Sequence, residues 1–193
     1  MLCDERSAAQ QQPGMRGDFV RQGQADGRQM QNVHEGATLK IYVAGYKGAG
    51  FGGGFIKRFT FSEFSHVTVV FDMQEQGLEY EAIQGKRFHK QRFNVEDKSA
   101  RLFCAEVNED QITAMMNAAE SILGSRYDWT GIWGFMVRKK REKMNWWFCS
   151  EVTPWILSHG QLVLQRKEFF KHTPGDVCCS VAIEPCETPK KWV

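Results

Sequence analysis

From residue 38 onward, apolar and polar positions fall into blocks of two different periods. Thr38-Leu39-Lys40-Ile41-Tyr42-Val43-Ala44 is rich in β-branched and aromatic side chains and predicts a first strand. His66-Val67-Thr68-Val69-Val70-Phe71-Asp72 predicts a second and Leu78-Glu79-Tyr80-Glu81-Ala82-Ile83 a third. The turn-prone Met73-Gln74-Glu75-Gln76-Gly77 between them fits an antiparallel hairpin. Arg101-Leu102-Phe103-Cys104-Ala105-Glu106-Val107 reads as another strand. Asn108-Glu109-Asp110-Gln111 then resembles a capping box, and Ile112, Met115, Met116, Ala119, Ile122 and Leu123 recur at helical spacing before Gly124 ends the helix. Asp128 caps an expected short helix through Trp129, Ile132, Trp133 and Phe135. The bulky run Trp146-Trp147-Phe148 delivers the chain to a helix expected from Cys149 to about His159, stopped by Gly160, with Pro154 tolerated because it lies close to the helix start. Leu162-Val163-Leu164 predicts a closing strand, and Thr173-Pro174-Gly175-Asp176 opens a last short helix.

Residues 1–36 break this pattern. They are rich in Gln, Gly, Asp and Arg, with Met15, Phe19, Val20 and Met30 as isolated apolar positions, and are expected to form a disordered tail. Residues 37–193 are expected to form one domain, and the 193-residue chain as a whole, 42% hydrophobic and 12% aromatic, is long and apolar enough for a real core. A net charge of +2 creates no strong field, so a nucleic-acid partner is not expected. The basic run Arg138-Lys139-Lys140-Arg141-Glu142-Lys143 reads as a solvated loop. Six cysteines without paired C-x-x-C clusters read as mostly reduced thiols, and neither metal nor cofactor is expected. No apolar leader and no membrane-length run is apparent, so a soluble cytoplasmic protein is expected.

Two positions carry the candidate chemistry. A cysteine at a helix start meets unpaired amide hydrogens and the positive end of the helix dipole, both of which stabilise a thiolate, so Cys149 is placed as a nucleophile. His66, at the mouth of the most strand-like stretch, is the candidate base. Closing the hairpin with Asp72 opposite Glu75 or Gly77 puts His66 on one face with Glu81, opposite or diagonal, where a carboxylate can hold an imidazole; Glu79 shares that parity and is the second choice. The plain alternatives are a buried apolar thiol, a rim histidine and a solvated glutamate. A rival site is the glycine-rich stretch, where Gly48, Gly50 and Gly53 satisfy G-x-G-x-x-G and Asp72 stands where a ribose-binding carboxylate would; dinucleotide binding there would need a helical crossover over residues 55–64, short for a parallel strand pair.

Ser-His-Val-Thr-Val-Val, Tyr-Glu-Ala-Ile-Gln-Gly, Tyr-Asp-Trp-x-Gly-Ile and Phe-Cys-Ser-Glu-Val occur in that order between residues 38 and 176. The set resembles the circularly permuted papain-like cysteine hydrolases of the NlpC superfamily, in particular the YiiX/YebB-like group, with the lecithin:retinol acyltransferase-like proteins as more distant kin. The resemblance implies an α+β fold in which an antiparallel sheet packs against helices and the nucleophile sits at a helix N-terminus after the histidine strand. It implies Cys149 as nucleophile, His66 as base and Glu81 as the residue orienting it, acting on a peptide, a peptidoglycan fragment or an acyl-lipid. It also makes a bacteriophage protein, carried by a virus particle or released on lysis, a plausible setting. A catalytically silent binding or structural protein on the same fold is the alternative.

Overall fold

The computed structural model describes residues 39–48, 62–73, 76–128 and 146–193. The chain divides into Met1–Glu35 and Gly36–Val193. The expected tail, most of the glycine-rich stretch with the helix after it, the helix expected from Asp128 and the basic run all lie outside the described residues.

Among the described residues the sequence forms β1 (Leu39–Tyr46), β2 (His66–Met73), β3 (Gln76–Glu81), β4 (His89–Arg92), β5 (Ala100–Val107), α1 (Glu109–Ser121), β6 (Arg126–Tyr127), β7 (Trp146–Trp147), α2 (Cys149–His159), α3 (Pro174–Cys178) and β8 (Glu184–Cys186), with single 3₁₀ turns at Phe169–Lys171 and Lys190–Trp192. The main sheet runs in the order β4-β3-β2-β1-β5-β8 with antiparallel neighbours throughout. The architecture is therefore α+β, a mostly antiparallel sheet with few helices.

β2 is buried without a break from Val67 to Phe71 because both faces of the sheet are covered. On one face Val43, Val67, Val69, Phe71, Tyr80 and Phe103 pack with Met115, Ala119, Val152, Ile156 and Leu157. On the other, Tyr42, Ala44, Val70, Leu102 and Cys104 meet Phe93 and Trp192. Asp72 secures that second cover, accepting from Trp192 Nε1 at 3.1 Å and pairing with Lys191 Nζ at 2.6 Å.

The capping box at α1 closes reciprocally, the Gln111 amide donating to Asn108 Oδ1 at 2.9 Å and the Asn108 amide to Gln111 Oε1 at 3.0 Å. Gln111 Nε2 also donates to the Gly160 carbonyl at 2.7 Å, tying the start of α1 to the end of α2. At Gly160 a Cβ would run into the Met115 side chain and come within 2.9 Å of the Gln111 carbonyl, so the helices approach as closely as they do only over a glycine. α1 itself stops at Ser121, and Gly124 takes φ of 80° in the turn beyond rather than ending the helix directly. Pro154 lies in the second turn of α2, so the Ser150 carbonyl receives no i+4 amide from it.

The strand expected at Leu162-Val163-Leu164 does not form. Gln161 turns the chain back with φ of 62°, the Leu162 amide is taken by the Leu157 carbonyl and the Leu164 carbonyl by Ser180 Oγ, which leaves no ladder to join. Glu184–Cys186 closes the sheet edge instead. The antiparallel pairing of β1 with β2 also removes the parallel strand pair that the dinucleotide reading of Gly48 required, and Asp72 is committed to the C-terminal turn.

Candidate active site

A short parallel ladder, Arg126 to Trp146 and Tyr127 to Trp147, delivers the chain to α2. Phe148 is extended at φ −115° and ψ 161° and caps the helix without a side-chain hydrogen bond, so Cys149 begins the helix with the first-turn amides around it. Cys149 is 3% exposed. The sulfur lies close enough to the His66 ring and to the backbone amides of Val67 and Ser150 for all three to favour its charged form. Burial opposes charge on this sulfur, but the imidazole and the two amides outweigh it and bring the thiol below its ordinary value.

His66 is the first residue of β2, at the mouth of the strand, beyond the first β2–β3 pair, Val69 with Tyr80. Its Nε2 lies 3.2 Å from Glu81 Oε2, which leaves Nδ1 as the ring atom available to the sulfur. Burial alone would lower the His66 pKa, yet Cys149 and Glu81 reverse this and raise it to about 10. Glu81 is itself held low: burial pushes it up, and the bond to His66 more than offsets that. The three residues thus form one line of proton-sharing contacts from Cys149 through His66 to Glu81.

The hairpin register is Asp72 opposite Gly77, which places His66 on the same face as Glu81 and diagonal to it. Glu79, two residues back on that face, is engaged by other partners. It accepts from Thr68 Oγ1 at 2.7 Å, from the Tyr46 hydroxyl at 2.5 Å and from Gln91 Nε2 at 3.2 Å. Gln91 Nε2 also donates to Glu81 Oε1 at 3.0 Å. His89 Nε2 stands 3.2 Å from that same oxygen but is not aligned to bond it. Its Nδ1 faces the Arg87 carbonyl at 3.0 Å, so a neutral ring that donates there turns a lone pair toward the carboxylate.

Four contributors escaped the sequence reading. Gln91 and His89 lie on β4, whose His-Lys-Gln-Arg sequence has no strand-like apolar alternation. Tyr46 sits at the end of β1, paired with His66, the two rings 5.7 Å apart. Tyr127 belongs to the Tyr-Asp-Trp-x-Gly-Ile motif, which by itself assigns it no role; burial and the charges of Cys149 and Asp128 push its hydroxyl pKa up, which keeps a neutral phenol near the sulfur.

Among the described residues no group of three His, Cys, Asp or Glu side chains is placed to hold a metal ion, and no helix is long and apolar enough to cross a membrane. No family model and no curated protein matches the chain.

Proposed function

We propose that this protein is a thiol hydrolase of the permuted papain-like type, cleaving an amide or ester through Cys149, His66 and Glu81. The observation that carries the reading is the line from the helix-start sulfur past the imidazole to a buried carboxylate, the imidazole bonded to Glu81 at 3.2 Å and electrostatically coupled to the sulfur. Its order along the chain, histidine strand before cysteine helix, matches the permuted arrangement.

In this mechanism His66 holds the thiol proton in the resting pair. The thiolate attacks the carbonyl carbon, and amide hydrogens at the start of α2 receive the developing oxyanion. His66 then gives its proton to the leaving amine or alcohol as the carbon–nitrogen or carbon–oxygen bond breaks, leaving a thioester on Cys149. Water attacks the thioester with His66 taking its proton, and collapse releases the carboxylic acid and restores the thiolate–imidazolium pair. Glu81 accepts from the His66 Nε2–H throughout, with the ring charged or neutral, and keeps it turned toward the sulfur. The substrate follows the resemblance: a peptide, a peptidoglycan fragment or an acyl-lipid. Action in the cytoplasm, or on release from a virus particle, belongs to the same proposal.

One observation favours the silent alternative, the burial of the sulfur. The two readings separate on a panel of peptide, peptidoglycan-fragment and acyl-ester substrates. A hydrolase loses turnover of its substrate in both Cys149→Ala and His66→Ala, each by several orders of magnitude, because members of such a unit act together. Turnover that survives Cys149→Ala overturns the assignment.

A further inference from the structure

Holding His66 requires that the Glu81 carboxylate itself be prevented from rotating. Its Oε2 meets His66 and its Oε1 receives Gln91 Nε2. The same amide nitrogen also donates to Glu79 Oε2, so both of its hydrogens are committed, one to each carboxylate. That double commitment fixes which way the amide faces, since its oxygen in that place would confront two carboxylate oxygens. Glu79 is in turn fixed by Thr68 and Tyr46, and the Tyr46 ring leans on the His66 ring at an angle of 38°. The contacts therefore close on themselves across β4, β3, β2 and β1: His66, Glu81, Gln91, Glu79, Tyr46 and back to His66.

We infer that Gln91 is a positioning residue for the Cys149–His66 pair, holding Glu81 toward the imidazole through an anchor on the second buried carboxylate, Glu79. The inference rests on the hydrolase reading for its effect on turnover, but its effect on the thiol is independent of any substrate. Gln91 lies on the edge strand and is exposed, whereas Glu79 is 2% and Thr68 0% exposed, so the bridge can be altered without opening the core. The titratable and charged groups around it are Glu79 and Glu81 on β3, His66 on β2, Tyr46 on β1, His89 on β4, Lys86 before β4, Asp97 before β5, and Cys149 and Tyr127 beyond the ring.

The test uses the full chain with two variants. Gln91→Leu removes the bridge, and the exchange Glu79→Gln with Gln91→Glu keeps an amide–carboxylate bond between positions 79 and 91 while turning a carboxylate on Glu81. The first readout is the pH dependence of Cys149 alkylation by iodoacetamide, followed by peptide mapping. The second is kcat and KM on whichever substrate the native chain cleaves. Expected for Gln91→Leu is an alkylation midpoint moved to higher pH and kcat about tenfold lower, the equivalent of one lost charge-assisted hydrogen bond, with KM within about twofold. The exchange variant should remain folded, with a Tm lowered by the carboxylate it turns on Glu81, and should fail to restore either readout. A purely architectural bridge gives the opposite result, an unmoved midpoint in Gln91→Leu or full recovery by the exchange, and either overturns the inference. If the native chain cleaves nothing, the hydrolase reading falls, and the alkylation midpoint still decides the role of Gln91.

Discussion

Replacing Glu81 by Gln probes the site at the atom that holds the base. Unit charges 3.2 Å apart attract by about 5 kcal/mol at an effective dielectric constant near 20, and this is a gross figure that solvent and desolvation reduce. A glutamine can still accept from His66, so the net loss is the difference between a charged and a neutral hydrogen bond, about 1–1.5 kcal/mol. That difference corresponds to about tenfold in kcat/KM and to about one pH unit in the His66 equilibrium. The direction follows from the charge removed. With less negative charge beside it the imidazolium gives up its proton sooner, so the basic limb of the kcat/KM profile moves down from about pH 10, where the His66 pKa stands, by about one unit. The new amide NH₂ also confronts Gln91 Nε2, donor against donor, at the place where Glu81 Oε1 now accepts at 3.0 Å. An unsatisfied buried group of this kind costs about 1–3 kcal/mol, and Tm falls by about 2–4 °C for each of them in a domain of this size. The assay is a kcat/KM profile from pH 5 to 11 with a parallel melting curve. A variant within twofold of native kcat/KM and with an unmoved basic limb refutes the role given to Glu81.

Gly160→Ala should destabilise by about 1–3 kcal/mol, because the added methyl meets Met115 and the Gln111 carbonyl where α2 ends against α1; an unchanged Tm in a thermal melt would contradict the close approach described there. Leu157→Ala, at a fully buried position of α2, should cost about 2–5 kcal/mol by urea denaturation, and a loss under 1 kcal/mol would mean that α2 packs elsewhere. Millimolar NAD should leave Tm unchanged, since β1 and β2 are antiparallel neighbours and offer no dinucleotide crossover; a clear upward shift would reinstate the glycine-rich stretch as a site.

The parts of the fold that the sequence announced are those where burial and backbone geometry make the same demand. β2 is legible because Val, Thr, Val, Val and Phe suit a strand covered on both faces, and the polar turn beside it limits Asp72 to a place opposite Glu75 or Gly77, of which the fold takes Gly77. Once that register holds, the shared face of His66 and Glu81 follows from the two-residue period of a strand. Cys149 and Gly160 mark the ends of α2 for similarly local reasons, an extended Phe148 before it and a glycine after. β4 was illegible because an edge strand is held by backbone pairing to β3 and leaves most of its side chains to solvent, so His89-Lys90-Gln91-Arg92 carries no hydrophobic signature. Gln91, which braces Glu81 from outside, and His89 beside the same oxygen are hidden with it. Leu162-Val163-Leu164 misled in the opposite direction: three apolar residues suggest a strand, but Leu164 is buried in a loop and Val163 is left exposed.

The measurement that bears most directly on the central claim is the pH dependence of Cys149 alkylation in the native chain and in His66→Ala. The thiol is held below its ordinary value and the imidazole above its own, so the native protein should alkylate Cys149 selectively and at a steady rate across neutral pH. Cys178, whose thiol burial pushes far up, should stay unlabelled over the same interval. In His66→Ala the reaction of Cys149 should need alkaline conditions, its midpoint displaced toward that of an ordinary buried thiol. A Cys149 that labels no faster than Cys178, or whose midpoint is the same with and without His66, would contradict the ion pair on which the proposed chemistry depends.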